Sequence, residues 1–86
     1  MTLSFLQHNR KIIQATPGVC GGNARIRDTR IPVWTLVSFR QQGASEEELL
    51  RNYPTLNHQQ LAAAWSYYEQ HPQEIDQLIA NWDESD

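Results

Sequence analysis

Residues 20–33 read Cys20-Gly21-Gly22-Asn23-Ala24-Arg25-Ile26-Arg27-Asp28-Thr29-Arg30-Ile31-Pro32-Val33. The path of the backbone through them decides how the downstream helices can be arranged. The apolar residues change phase along the stretch: Ala24 and Ile26 fall on even positions, Ile31 and Val33 on odd ones. Side chains alternate faces along a strand, so a strand over residues 24–31 must bend or bulge near Asp28-Thr29. A bulge adds one residue, re-aims the chain beyond it and is commonest at sheet edges and beside functional surfaces. Pro32 removes a backbone donor and holds Ile31 extended, which confines this end to an edge. Arg25, Arg27 and Arg30 guard such an edge against casual pairing while leaving it usable by a partner.

Upstream, residues 1–11 show no period and read as a loose arm. Ile12-Ile13-Gln14-Ala15-Thr16 suits a short strand, closed by a Pro17-Gly18 turn. Paired with the strand at 24–31 it makes a ribbon, 12–33, that is marginal alone. Pairing with a second ribbon would remedy that, so a homodimer is expected.

Downstream the period becomes helical. Val33, Leu36 and Val37 share a face with Arg40 at its end, and Gly43 supplies a stop. Ser45-Glu46-Glu47-Glu48 is a capping box with its acids at the favourable end of a short helix, which turns Leu49 and Leu50 inward before Tyr53-Pro54. Asn57 and Gln60 repeat that logic for a third helix reaching about Gln70, with Leu61, Ala64, Trp65 and Tyr68 on one face. Pro72 opens a last helix carrying Ile75, Leu78, Ile79 and Trp82, and residues 83–86 form an acidic tail. The expected fold is mainly α with a short N-terminal β-ribbon: a single domain over 12–82, with a homeodomain-like three-helix core (the second and third helices forming a helix-turn-helix) and a C-terminal helix within 34–82.

Cys20-Gly21-Gly22, the Arg27-Asp28-Thr29-Arg30-Ile31-Pro32-Val33 run, Gly43-Ala44-Ser45 and Asn52-Tyr53-Pro54-Thr55-Leu56 together resemble a widespread family of small bacterial uncharacterised domains. The resemblance covers roughly residues 12–80. Family members are often described as VapB-like antitoxins, because many are encoded beside a PIN-like ribonuclease toxin. It implies a trihelical fold and a protein partner. The chain departs from the family pattern at Asp28, where Gly usually precedes Thr-Arg-Ile-Pro. Gly there would suit a bulge that needs positive φ, and Asp is one of the few other residues to tolerate it.

Eighty-six residues make one small domain, which buries only about 60 to 65 per cent of its unfolded surface. One cysteine excludes an internal disulfide and suits a reducing cytoplasm. No apolar run approaches a membrane span, and the charges of residues 1–11 come after their apolar patch, unlike those of a secretory signal. The net charge of −3 conceals segregation: residues 1–40 carry six basic groups against Asp28 alone, and residues 41–86 carry Arg51 against nine acids. Such a division steers encounters with partners more than it fixes a fold.

The candidate partner or nucleic-acid residues are Arg25, Arg27, Arg30 and Arg10. Arg25 and Arg27 share a strand face and read as the partner-facing pair, whereas Arg30, nested in Thr-Arg-Ile-Pro, suits an internal ion pair. Gly21, Gly22, Asp28 and Pro32 are read as turn or bulge positions. Were the third helix a recognition helix, His58, Gln59 and Gln60 would face base edges. The net negative charge of residues 45–70 opposes that mode, because DNA binding rests on cations that neutralise phosphates. Trp82, Trp34 and Trp65 are expected in the core, or at a dimer interface for the last two.

Cys20 has no histidine near it in sequence to lower its pKa, and His8, His58 and His71 lack metal-ligand spacing. No catalytic, cofactor or metal site is therefore expected. The sequence reads as a cytoplasmic, dimeric antitoxin-like protein that neutralises a PIN-like toxin by binding and regulates its own operon through DNA. A stand-alone DNA-binding regulator and a structural adaptor are the alternatives.

Overall fold

The computed structural model describes residues 12–84, with side chains as far as Trp82. The arm at 1–11, with Arg10 and His8, and the last two residues of the expected tail lie outside the described residues. Two strands, β1 (Ile13–Gln14) and β2 (Arg25–Ile26), are followed by four helices: α1 (Val33–Gln41), α2 (Glu46–Asn52), α3 (His58–Gln70) and α4 (Pro72–Glu84). Within the stretch read as an acidic tail, α4 continues through Asp83 and Glu84.

The strands pair antiparallel, Ile13 opposite Ile26 and Gln14 opposite Arg25. Between them, Pro17 and Gly18 occupy the middle of a turn closed by Val19 N–H donating to Thr16 O at 3.0 Å, with Gly18 at φ +84. This is the arrangement that a Pro-Gly pair favours. A single 3-10 turn comes next at Cys20–Gly22, where Cys20, Gly21 and Gly22 all hold positive φ.

The phase change has a different cause from the bulge expected at Asp28-Thr29. The chain reverses. Thr29 N–H donates to Ile26 O at 3.1 Å, closing a tight turn with Asp28 at φ +64. The backbone then returns alongside itself, with Ile26 N–H to Ile31 O and Val33 N–H to Ala24 O both at 3.0 Å. Arg25 and Pro32 thus face each other as a non-hydrogen-bonded antiparallel pair. The missing N–H of Pro32 falls where the ladder needs no donor. Asp28 tolerates the left-handed conformation that the turn imposes at its third residue, a position where glycine is the easier choice.

Val33 leaves this hairpin directly into α1, burying Val33, Leu36 and Val37. The helix ends in a Schellman motif: Gly43 N–H reaches Arg40 O and Ala44 N–H reaches Phe39 O, each at 3.0 Å, with Gly43 at φ +104. Both capping boxes form, Ser45 with Glu48 and Asn57 with Gln60. The core gathers Ala24 and Ile26 from the hairpin, the α1 residues, Leu49 of α2, Leu56, Leu61, Ala64 and Trp65 around α3, and Ile75 of α4. Leu61 is fully buried where these elements meet. Leu61→Ala should lower unfolding stability by about 2–5 kcal/mol in urea titrations. Gly22→Val should destabilise as well, because Gly22 sits at φ +81, where a β-branched side chain is strained although the space around it is open.

Candidate functional site

The arginines divide by environment. Arg25 is only 8 % exposed. Its Nη1 donates to the carbonyls of Ile26 (3.3 Å) and Thr29 (3.2 Å), and its Nη2 to Thr16 Oγ1 at 2.9 Å. The guanidinium thereby joins the turn after β1 to the turn after β2. Its Nε is buried without a hydrogen-bond partner. Arg27 lies half-buried with Nε 3.5 Å from the exposed Asp28 carboxylate, and Arg30 is exposed on the same turn. The structure places Arg25 inside the fold and Arg30 on its surface, with Arg27 between them, whereas the sequence suggested an outward Arg25–Arg27 pair and an internal Arg30. The shared strand face ends where the chain reverses, and the turn carbonyls draw Arg25 inward.

The first turn of α3 is also largely occupied. Gln60 Oε1 accepts from Asn57 N–H at 2.9 Å, and His58 Nδ1 lies 3.1 Å from Glu46 Oε1. Glu46 uses its second oxygen to accept from Trp65 Nε1–H at 3.1 Å, and Arg40 stacks over the Trp65 ring, 4.5 Å from its centroid. The hydrogen bond from Trp65, then that from His58, holds the Glu46 carboxyl below its usual range. Of the three candidate recognition residues, only Gln59 carries none of these contacts.

Two phenols at the α3–α4 corner hold acids. Tyr67 Oη donates to Glu74 at 2.9–3.0 Å, and Tyr68 Oη donates to Asp76 at 2.8 Å while accepting from Gln41 Nε2 at 3.3 Å. The His71 ring stacks on Tyr67 with centroids 4.1 Å apart. Burial, then the hydrogen bond to Glu74 and its charge, pushes the Tyr67 phenol up to about 12.

Along α4 the apolar stripe rises out of the protein. Ile75 is fully buried, Leu78 and Ile79 are half-buried, and Trp82 is 59 % exposed. The Trp82 ring lies 5.5 Å from that of half-buried Trp34, tilted by 43°. The core position expected for Trp82 is thus corrected; Trp65 is buried as expected, and Trp34 is intermediate. The i, i+3, i+4, i+7 spacing reports the shared face but not where the neighbouring helices stop covering it. Sequence reasoning also missed a shallow cleft of about 270 Å3 lined by Ile12, Arg27, Asp28, Thr29, Thr55 and Gln60, which no local motif announces. Among the described residues no group of three or more His, Cys, Asp or Glu side chains is placed to hold a metal ion. Among the same residues no helix is long and apolar enough to cross a membrane.

Residues 13–68 match the family model described as a protein of unknown function, DUF433, and the chain belongs to that family. The crystal structure of a DUF433 member protein from Anabaena variabilis ATCC 29413 is 62% identical and superposes with a TM-score of 0.83, covering 92% of this chain and 78% of that one. The uncharacterized protein y4eO of Sinorhizobium fredii (strain NBRC 101917 / NGR234) is 32% identical over 70 residues, which are 81% of this chain. The match spans only 32% of that relative's length.

Arg25→Ala should lower stability by about 1–3 kcal/mol, since it removes the donor to Thr29 O and the guanidinium that ties the two turns together. Arg27→Ala, which breaks a pair whose carboxylate is exposed, should change stability by less than about 1 kcal/mol. Urea denaturation of the two variants checks both. In an alkaline absorbance titration, the tyrosine lost in Tyr67→Phe should be one that ionises near 12, and Glu74→Gln should bring it down towards 10.0. Because the folded value lies above the unfolded one, the Tyr67–Glu74 contribution to stability is present below pH 10 and is lost as pH rises through 12.

Proposed function

We propose that this protein is an antitoxin-like module that neutralises a PIN-like ribonuclease by stoichiometric binding, with no chemistry of its own. The observation that carries the reading is the apolar face of α4 and α1, where Trp82 is exposed and Trp34, Leu78 and Ile79 are half-buried. Contiguous apolar surface of this kind marks interaction sites, and tryptophan is enriched among residues that dominate binding energy. The family resemblance supplies the class of partner. Arg30, with Arg27 beside it, adds a cationic projection on the opposite side of the charge division, suited to an acidic nuclease site. The protein acts as a homodimer in this reading.

DNA binding through a helix-turn-helix of α2 and α3 is the weaker reading. Glu46, Glu47 and Glu48 open α2, His58 and Gln60 are engaged within the protein, and phosphate contacts need more cations than Arg51 supplies on these helices. Any operon autoregulation would instead use Arg27 and Arg30 of the turn.

Affinity capture from the lysate of its own host, followed by mass measurement through light scattering, tests the proposal. The expected result is a PIN-like ribonuclease recovered in a fixed ratio and inactive until released. A clean homodimer that captures no nuclease and leaves an added one active would overturn it.

A further inference from the structure

The α4 side of this face is acidic, while α1 contributes Arg40, whose guanidinium stacks on Trp65. Residues 52–86 contain six acids and neither lysine nor arginine. Glu74 and Asp76 are exposed, and the groups that hold them are the neutral phenols of Tyr67 and Tyr68, so no cation compensates either carboxylate in these contacts. The phenol of Tyr67 stays protonated through the physiological range.

Trp34 at the start of α1 meets Trp82 near the end of α4, and Gln41 at the end of α1 joins Asp76 near the start of α4 through Tyr68. The two helices therefore run antiparallel. The stripe of Leu78, Ile79 and Trp82 lies along their junction with helical spacing, the geometry that a third helix uses when it packs its ridges between two others.

We infer that this face receives an amphipathic helix of a protein partner whose apolar stripe is flanked by lysines and arginines. The inference rests on the protein-binding reading above and names the chemistry of the partner's contact. Charge decides against a second copy as occupant. Two α4 faces brought together would set acids against acids, and like charges across an interface disfavour the pairing. A basic helix meets the same rim with opposite sign, and its apolar residues cover the two tryptophans.

The test uses the full chain and two labelled synthetic helical peptides with the same leucine stripe, one flanked by lysines and the other by glutamates, with binding read by fluorescence anisotropy. The lysine peptide should bind and should weaken as salt is raised. Trp82→Ala should cost at least about tenfold in affinity, with Trp82→Phe restoring part of it and circular dichroism showing both variants folded. Equal binding of the glutamate peptide would remove the charge assignment, and indifference to Trp82→Ala would remove the face. A dimer that Trp82→Ala converts to monomer would assign the face to a second copy and overturn the inference. Capture of a ribonuclease equally by wild type and Trp82→Ala would sink this inference while leaving the proposed function standing.

Discussion

The arrangement depends on a buried cation that caps backbone. Arg25 places its guanidinium between two turns and donates to Ile26 O, Thr29 O and Thr16 Oγ1. These partners are all neutral. Burying an arginine without an anion is costly, and the oriented carbonyl dipoles of the turn offset part of that cost. With both turns tied together, the hairpin at 24–33 has a fixed shape and Val33 enters α1 at a fixed point. The contact of α1 with α3 and α4 results from that entry, and the core around Leu36, Leu61 and Ile75 results from those contacts.

The same constraint places the chemistry. Because the hairpin reverses at Asp28, Arg25 is committed to structure, Arg27 lies half-buried beside Asp28 and Arg30 is exposed on the turn. Because α1 starts where it does, Trp34 reaches the distal end of α4 and forms with the exposed Trp82 an aromatic pair. The acids of α2 and α4 then set the electrical sign of the helical part of the molecule. Glu46 is an exception among them, since it serves as a local joint, receiving Trp65 and His58 from α3.

Helices are legible in the sequence wherever the signals are local. Ser45 with Glu48, Asn57 with Gln60, Gly43 after α1 and Pro72 as the first residue of α4 each act within a few residues, and each marks its helix end in the structure. The strand near Asp28 is harder to read, because a bulge and a tight reversal produce the same shift of apolar phase. The pairing of Ile26 with Ile31 that distinguishes them is not written in the pattern. Positive φ at Asp28 is expected from either, and it serves the turn instead of a bulge. The site is legible only in part. Charge segregation is visible from composition, but the inward rotation of Arg25 depends on turn carbonyls, and the exposure of Trp82 depends on where α1 begins beneath it.

The central claim is that partners are met by the α1–α4 face and that Arg25 belongs to the scaffold. Hydrogen exchange, compared between the free protein and its complex with a partner recovered by affinity capture, addresses both at once. The account predicts new protection across residues 75–82 and at the start of α1, with the backbone around Arg25 protected equally in both states. Protection confined to the 27–30 turn and the first turn of α3, with α4 unchanged, would contradict it.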